Sequence, residues 1–388
     1  MLPYLLSFYL LLSLIQISYS LFFVKSYKKI SKLSQTPDLN KAISYSIIIC
    51  GKNESKNISK NLPSFLKQIK KHKESEIIFV NHRSTDNSKE ILYKLQKKYP
   101  HLKILEIRTG QPQKIFGKKE ALLYAFSEAK GKYLLLSDAD CKVYHKNWAE
   151  NWISWMEKHN ADAGLGLGIY KNNAGLLQKF IQFETLQSYM QYGSYAMQGN
   201  AYMGVGRNIA YKRKSIEKIM HDQLFLDYYL KEMSGDDDLL IQYLAKKQNN
   251  ILPYFSKTQS TITNPKSNYK SYKKQKIRHL SIGKHYDLKD KLNLGFYALS
   301  IGLWWLLSTI LLLFFVLNPY LFNSLYFLFS IFLFSIALIF KYLNYSKWHK
   351  MQIKEEKSIT FVFMEWLWSL YHLINIPNIF WKKNNSWK

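Results

Sequence analysis

KYLLLSDADC, residues 132–141, is an apolar run that stops on two carboxylates flanking a single small residue. Four apolar residues in a row, Tyr133 to Leu136, suit a strand covered on both faces, as in parallel sheets with helices on either side. Working outward, the same kind of run recurs at 45–50 (YSIIIC), 76–80 (EIIFV) and 101–107 (HLKILEI). Between these runs the spacing turns helical. Ile58, Leu62, Phe65, Leu66 and Ile69 share one face, Ser84, Thr85 and Asp86 offer a cap before Ile91, Leu92 and Leu95, and 121–129 reads as a third helix. The order βαβαβαβ predicts an α/β fold with a mostly parallel, Rossmann-like sheet. Ligands of such sheets bind beyond the carboxyl ends of the strands. The loops at those ends read GKNE (51–54), NHRSTD (81–86), RTGQPQKIFGKKEA (108–121) and DADC (138–141), with Gly, charge and short polar side chains where a nucleotide would sit.

Asp138 and Asp140 are close enough to favour a hard divalent cation, Mg²⁺ or Mn²⁺, which would neutralise a leaving nucleoside diphosphate. Alone the pair reads more readily as an acidic turn capping the next helix; its position after the fourth strand reverses that and favours the metal. A second cluster, Gly235-Asp236-Asp237-Asp238, precedes the apolar positions Leu239, Leu240, Ile241 and Leu244. One Asp there would serve as a helix cap, but three adjacent carboxylates exceed that need. Their mutual repulsion raises at least one pKa, which suits a general base. Residues 204–211, GVGRNIAY, read as a glycine-containing strand that could approach a ligand closely. Gln275 and Arg278 in QKIRH (275–279) share a helix face in a Lys-rich stretch. They could grip a diphosphate or an acceptor, or simply belong to an interfacial helix. Lys118 and Lys119 follow Gly117 at a helix start, a natural anion-binding end. His145, His159, His221 and His285 show no metal spacing, and Trp148, Trp152 and Trp155 have the spacing of core packing.

The chain has 388 residues and a formal net charge of +28, carried almost wholly by Lys. Nucleic-acid readers favour Arg, whose fork matches phosphates and guanine edges, and no RNA-binding or zinc-finger signature is present, so nucleic acid is excluded as a partner. Two cysteines, Cys50 and Cys141, make neither a disulfide framework nor a zinc site. Residues 1–24 carry no charged side chain and are followed by Lys25, Lys28, Lys29 and Lys32. This reads as an uncleaved anchor, because a signal peptide would place its basic residues before the apolar run. Residues 293–317 and 320–341 read as two further spans joined at Asn318 and Pro319, the second leaving at Lys341. Basic flanks put these ends in the cytoplasm. Residues 359–381, rich in Trp and Phe but holding Glu365, His372 and Pro377, read as a span or an interfacial segment. The predicted organisation is an anchor (1–24), a basic linker (25–43), a catalytic domain (44–285), two membrane helices (286–342), and a basic loop with the third segment (343–388). The lipid bilayer of the cell membrane is thus an expected partner, with the catalytic domain on its cytoplasmic face.

Taken together, these motifs resemble family 2 glycosyltransferases of the GT-A fold across the whole of SIIICGKNE to QKIRH. The order carries the likeness: a KNE-type loop, an STD loop, a GK helix start, DxD, GxNxAY, an acid pair and a QxxRW-like end. The resemblance implies that Asn53, Glu54, Asn81, Asp86, Lys118 and Asp138 face the donor nucleotide, and that Asp140 binds the metal with Asp138. It implies Asp237 as catalytic base, with Asp236 in place of the usual Glu. Gly206, Arg207, Asn208, Gln275 and Arg278 would face the acceptor or the diphosphate. It further implies inverting transfer from a nucleotide sugar, a UDP-sugar first of all, to a lipid-linked or polysaccharide acceptor. Two departures stand out. Asn81 and His82 replace the usual Asp pair, though Asn81 can still donate to and accept from a uracil-like base. His279 replaces the Trp of the last motif, which weakens a reading of processive polymer extension. A nucleotidyltransferase would want a basic Gly-rich loop after the first strand, for which GKNE is poor. An inactive membrane scaffold is the non-enzymatic alternative.

Overall fold

The structure, a computed structural model, describes residues 2–35, 43–69, 74–108, 117–171, 175–232, 234–350 and 359–381. Most of the 108–121 loop, and parts of the 25–43 and 343–388 segments, lie outside these residues.

Helix α1 (Leu2–Leu33) leads into alternating elements: β1 (Tyr45–Gly51), α2 (Ser55–Leu66), β2 (Glu76–His82), α3 (Ser88–Lys98), β3 (Leu102–Ile107), α4 (Lys118–Glu128) and β4 (Tyr133–Asp138). There follow β5 (Lys142–Val143), α5 (Trp148–His159), β6 (Ala163–Gly166), β7 (Gly168–Tyr170), α6 (Leu176–Ala196), β8 (Ile209–Lys212), α7 (Arg213–Met220), α8 (Gln223–Lys231) and α9 (Asp236–Lys246). The chain closes with β9 (Ile251–Tyr254), β10 (Thr261–Thr263), α10 (Tyr269–Leu280), a 3-10 turn (Ser281–His285), α11 (Leu288–Leu317), α12 (Leu325–His349) and α13 (Ile359–Trp381).

Seven strands form one sheet in the order β3-β2-β1-β4-β8-β6-β9, parallel except for β8, which runs antiparallel to both neighbours. All residues of β1 are buried, as an unbroken apolar run requires. The order reverses beside β1, so the crevice between the ends of β1 and β4 is the expected ligand edge. There Cys50 stands opposite Asp138 and Gly51 opposite Asn81. A smaller sheet, β5-β10-β7, lies beyond that edge.

Two expectations need correction. Residues 204–208 are loop, and the strand begins only at Ile209. The reason lies in the side chain of Asn208, which turns inward and is 1% exposed. Its Oδ1 accepts from Trp148 and Trp152 Nε1 at 3.2 and 3.1 Å, and its Nδ2 reaches Leu167 O and Gln259. Lys341, expected at the exit of a span, is buried one turn or more inside α12 and pairs with Glu365 of α13 at 3.1 Å. Trp305 Nε1 also donates to Glu365. The three polar groups thus satisfy one another in the interior of the helix bundle.

Helices α1, α11 and α12 are long and apolar enough to cross a membrane. Helix α13 packs on α11. Glu365 meets Trp305, Leu373 lies over Gly302, and Trp368 packs on Tyr297. The bundle of long apolar helices and the sheet share α6, which is buried along most of its length, polar Gln182, Glu184, Gln187 and Ser194 included. Tyr189 and Tyr192 donate to the carbonyls of Leu165 and Gly166 in the sheet, while Phe183 packs on Tyr345 and Phe361.

Candidate active site

The loops after β1 and β2, where the donor nucleotide was expected, are laced together. Asn53, held at φ 55°, accepts from the Thr85 amide through its side chain at 2.8 Å, and its own amide donates to Ser84 Oγ. Asp86 accepts from the Ser55 amide at 3.0 Å and from the Ser88 amide at 3.1 Å, tying the starts of α2 and α3. Burial acts to raise its pKa, but the bonds from Ser88 and Ser55 outweigh it and hold the carboxyl below its usual range. Glu54 accepts from Asn57. Asn81 is buried beside Gly51, and its Oδ1 has no hydrogen-bond partner among the described residues. His82 and Arg83 both reach Glu120 in the first turn of α4, at 3.0 and 2.5 Å. Burial keeps His82 below its ordinary value despite that carboxylate.

Lys118 joins the two acidic motifs. Its Nζ lies 2.7 Å from Asp138 Oδ1 and 3.2 Å from Asp236 Oδ2. The burial that would discharge it is outweighed by Asp138, Asp236 and Asp237, which raise its pKa. Lys119 points the other way, donating to Tyr229 O at 2.6 Å over the Tyr229 ring, and burial lowers it to about 8. It closes the carbonyl end of α8 directly before the second acidic motif.

At the start of α9 the three carboxylates differ sharply. Gly235, at φ 75°, permits the turn, and a Cβ there would strike Ile282 at 2.2 Å. Burial would raise Asp236, but Lys118, Arg278 and Lys119 outweigh it, so Asp236 is held charged. Asp237 is raised well above its ordinary value by burial first and by Asp236 next. One of its oxygens accepts from the Gly206 amide at 2.7 Å; the other, buried, has no partner among the described residues. Gly206 makes room for this carboxylate, since a Cβ would lie 2.3 Å from it. Burial raises Asp238 to about 7, although Tyr286 and the Gly204 amide donate to it. Adjacent carboxyls thus carry opposite shifts, Asp236 downward and Asp237 upward.

Asp140 is raised by burial and then by Asp138. Among the described residues no cluster of three or more His, Cys, Asp or Glu could hold a metal. The Asp138–Asp140 pair suits a cation that takes its remaining ligands from diphosphate oxygens and water. Arg207 sits between this pair and the Tyr170 ring, 4.4 Å from its centroid. Gln275 and Arg278 lie one turn apart on α10, with the Arg278 charge acting on Asp236.

The structure thus brings Asp138, Asp140, Lys118, Asp236, Asp237, Gly206, Arg207 and Arg278 around one edge. Asn53 and Asp86 are engaged in closing the donor loops, and Asn208 lies in the core. Tyr170, Tyr229 and Tyr286 escaped the sequence reading, because nothing in a lone Tyr announces a partner far along the chain.

Residues 46–220 match the family described as Glycosyl transferase family 2. The chain carries a family 2 glycosyltransferase domain. A curated relative, the poly(ribitol-phosphate) beta-glucosyltransferase of Bacillus spizizenii (strain W23), is 30% identical over 123 residues, 31% of this chain. The match spans 18% of that relative's length. Among solved structures, the mannosyltransferase PcManGT from Pyrobaculum calidifontis, in complex with GDP-Man and Mn²⁺, is 14% identical with a TM-score of 0.53. That match covers 97% of this chain and all of the other. TarS of S. aureus in complex with UDP-GlcNAc is 14% identical with a TM-score of 0.43, over 86% of this chain and 83% of that one. The GT-A layout of the family 2 domain, with its helices at both ends of the chain, follows the first of these folds.

Proposed function

We propose that the chain is an inverting glycosyltransferase that moves a sugar from a nucleoside-diphosphate sugar to a hydroxyl of a lipid-linked or polysaccharide acceptor, at the cytoplasmic membrane face. The observation that carries this reading is the Lys118 ammonium set between Asp138 and Asp236, which ties the Asp138–Asp140 pair to the acidic turn that carries Asp237. The Asp237 oxygen that has no partner among the described residues, on a carboxyl raised by burial, takes the proton of the acceptor hydroxyl. The freed oxygen attacks the anomeric carbon as the bond to the diphosphate breaks. Lys118 offsets charge on the departing diphosphate, and Arg278 with Lys118 holds Asp236 ionised beside it. A Mg²⁺ or Mn²⁺ ion held by Asp140 and Asp138 would supply further charge neutralisation on that leaving group. The buried Asn81 oxygen at the end of β2, without a partner among the described residues, suits a base N–H such as that of uracil, which favours a UDP-sugar. Lys25, Lys28, Lys29 and Lys32 after the first apolar run, and Lys347 and Lys350 after α12, support the cytoplasmic orientation.

The test is a panel of radiolabelled nucleotide sugars on membranes containing the full chain, with and without lipid acceptors and chelator. Label should pass from one nucleotide sugar into an acceptor and stop with chelator. Transfer that persists in excess chelator removes the metal assignment. A nucleotidylated product would replace the reaction class. A phenotype untouched by both Asp140→Asn and Asp237→Asn would point to a scaffold.

A further inference from the structure

Helix α10 carries Gln275 and Arg278, yet it has no continuous apolar stripe. Lys270, Lys273, Lys274, Lys276 and Arg278 dominate it, and among the described residues Tyr272 is its one buried side chain. A surface helix ordinarily sets its rotation by burying such a stripe against the core. Here a buried carboxylate on a neighbouring helix takes that place. Glu184, in the middle of α6 and 3% exposed, accepts from the Tyr272 hydroxyl at 2.5 Å and pairs with Lys276 Nζ at 2.6 Å. Tyr272 and Lys276 are four residues apart and share one face, so two bonds to one carboxylate fix the rotation of α10 as well as its place. Phe180, one turn before Glu184, packs edge-on against the rings of Tyr272 and Tyr371 at 6.1 and 5.6 Å. Gln178 holds the chain leading into α10, donating to the Lys266 carbonyl at 3.3 Å. A carboxylate this deep is costly unless donors answer it, and α10 supplies both of these.

Lys276 and Arg278 are two residues apart, about 200° around the helix axis. The face that Glu184 grips is therefore nearly opposite the face that presents Arg278, whose charge helps to hold Asp236 ionised. We propose that Glu184 is a positioning residue: by gripping Tyr272 and Lys276 it sets the rotation of α10 and so keeps the Arg278 guanidinium directed at the acidic turn of α9. The inference rests on the glycosyl-transfer reading and adds to it a residue outside the site that governs one of the site's cations. Small misplacements of a positioned charge are costly to catalysis even when binding survives.

The experiment uses the full chain in detergent. Glu184→Leu, Glu184→Gln and Lys276→Met are made alone and in an Arg278→Met background, and steady-state transfer is measured beside hydrogen exchange of the α9 and α10 amides. Glu184→Leu should lower kcat by about tenfold with the donor KM within about twofold, and cost less than about twofold more once Arg278 is already Met. Exchange should quicken by about tenfold or more in α10 and stay at the wild-type rate in α9. Glu184→Gln still accepts from Tyr272 and falls between. With Lys276→Met, it carries the same comparison if Glu184→Leu does not fold. Losses that multiply with Arg278→Met overturn the proposal, because Glu184 then does not act through Arg278. So do wild-type kcat in Glu184→Leu, and exchange that quickens equally in α9 and α10, which marks a general structural ion pair. If wild type transfers no sugar from any nucleotide sugar, the transfer reading has failed instead. Exchange then decides alone: faster exchange confined to α10 supports the grip, and unchanged exchange overturns it.

Discussion

The donor loops and the acidic turn at α9 both present carboxylates at the sheet edge, yet they treat them oppositely. On the donor side, Asp86 is saturated by short-range bonds to Ser55 and Ser88, and its proton affinity falls. At α9, Asp237 and Asp238 are buried among one another, and their proton affinity rises. The donor side is closed within about thirty residues of sequence, as loop meets loop. The α9 side is assembled from distant parts: Gly206, Lys118, Ile282 and Tyr286. A saturated carboxylate serves the backbone, whereas an unsaturated one is available to a substrate proton.

The largest test of that contrast is Asp237→Asn. It should lower kcat by about 10³-fold with the fold intact, since it removes a proton acceptor and little else. Circular dichroism with a transfer assay checks it; a loss under tenfold would place the base elsewhere. Next comes Lys118→Met, expected to cost about 10²-fold in kcat/KM because it strips one charge from the leaving-group side. Its effect should shrink in the Asp236→Asn background, where its second partner is gone. If the two losses simply multiply, Lys118 does not work through Asp236. Third is Asp86→Ala, which should destabilise by about 1–2 kcal/mol through lost capping while kcat changes little. A thermal melt beside a kinetic assay separates the two. A kcat loss comparable to that of Asp237→Asn would erase the proposed contrast.

The smallest expected effect is in pH. Asp238 is raised to about 7 by burial, against the bonds from Tyr286 and the Gly204 amide. Between the ordinary carboxylate pKa and 7 the unfolded chain gives up this proton and the folded chain keeps it, so stability falls as pH rises through that window. Asp238→Asn should therefore gain on wild type steadily from pH 4 to 7 and then level off. A constant difference across that range would mean that Asp238 is ionised throughout.

The contrast also explains what the sequence made legible. The first four strands and the Asp138–Asp140 pair could be read directly, because each strand is one contiguous apolar run and each ligand loop follows it immediately. The acidic turn stood out because three carboxylates in a row exceed a cap. Asn208 read as ligand-facing beside two glycines, but indole N–H groups from α5 and Gln259 draw it inward, and neither partner is near in sequence. Tyr170 under Arg207 required the register of a two- to three-residue sheet. Lys341 looked like a flank until Glu365, on another helix, gave it a partner inside the bundle.

Helix α6 carries a consequence for how the chain is made. One side of it rests on the sheet and the other on α1, α12 and α13, so its apolar surface is covered only when α12 and α13 are in place. At a synthesis rate of about 5–20 residues per second, the stretch from Ala196 to Trp381 takes roughly 10–40 s to emerge. For that interval the nascent domain carries Phe180, Phe183 and Tyr189 without their final neighbours. This is a window in which a chaperone, or a bilayer surface if α1 is inserted as proposed, would shield it. Chains truncated after Leu280 would remain in that window permanently, and should be recovered as aggregates or bound to membranes through α6.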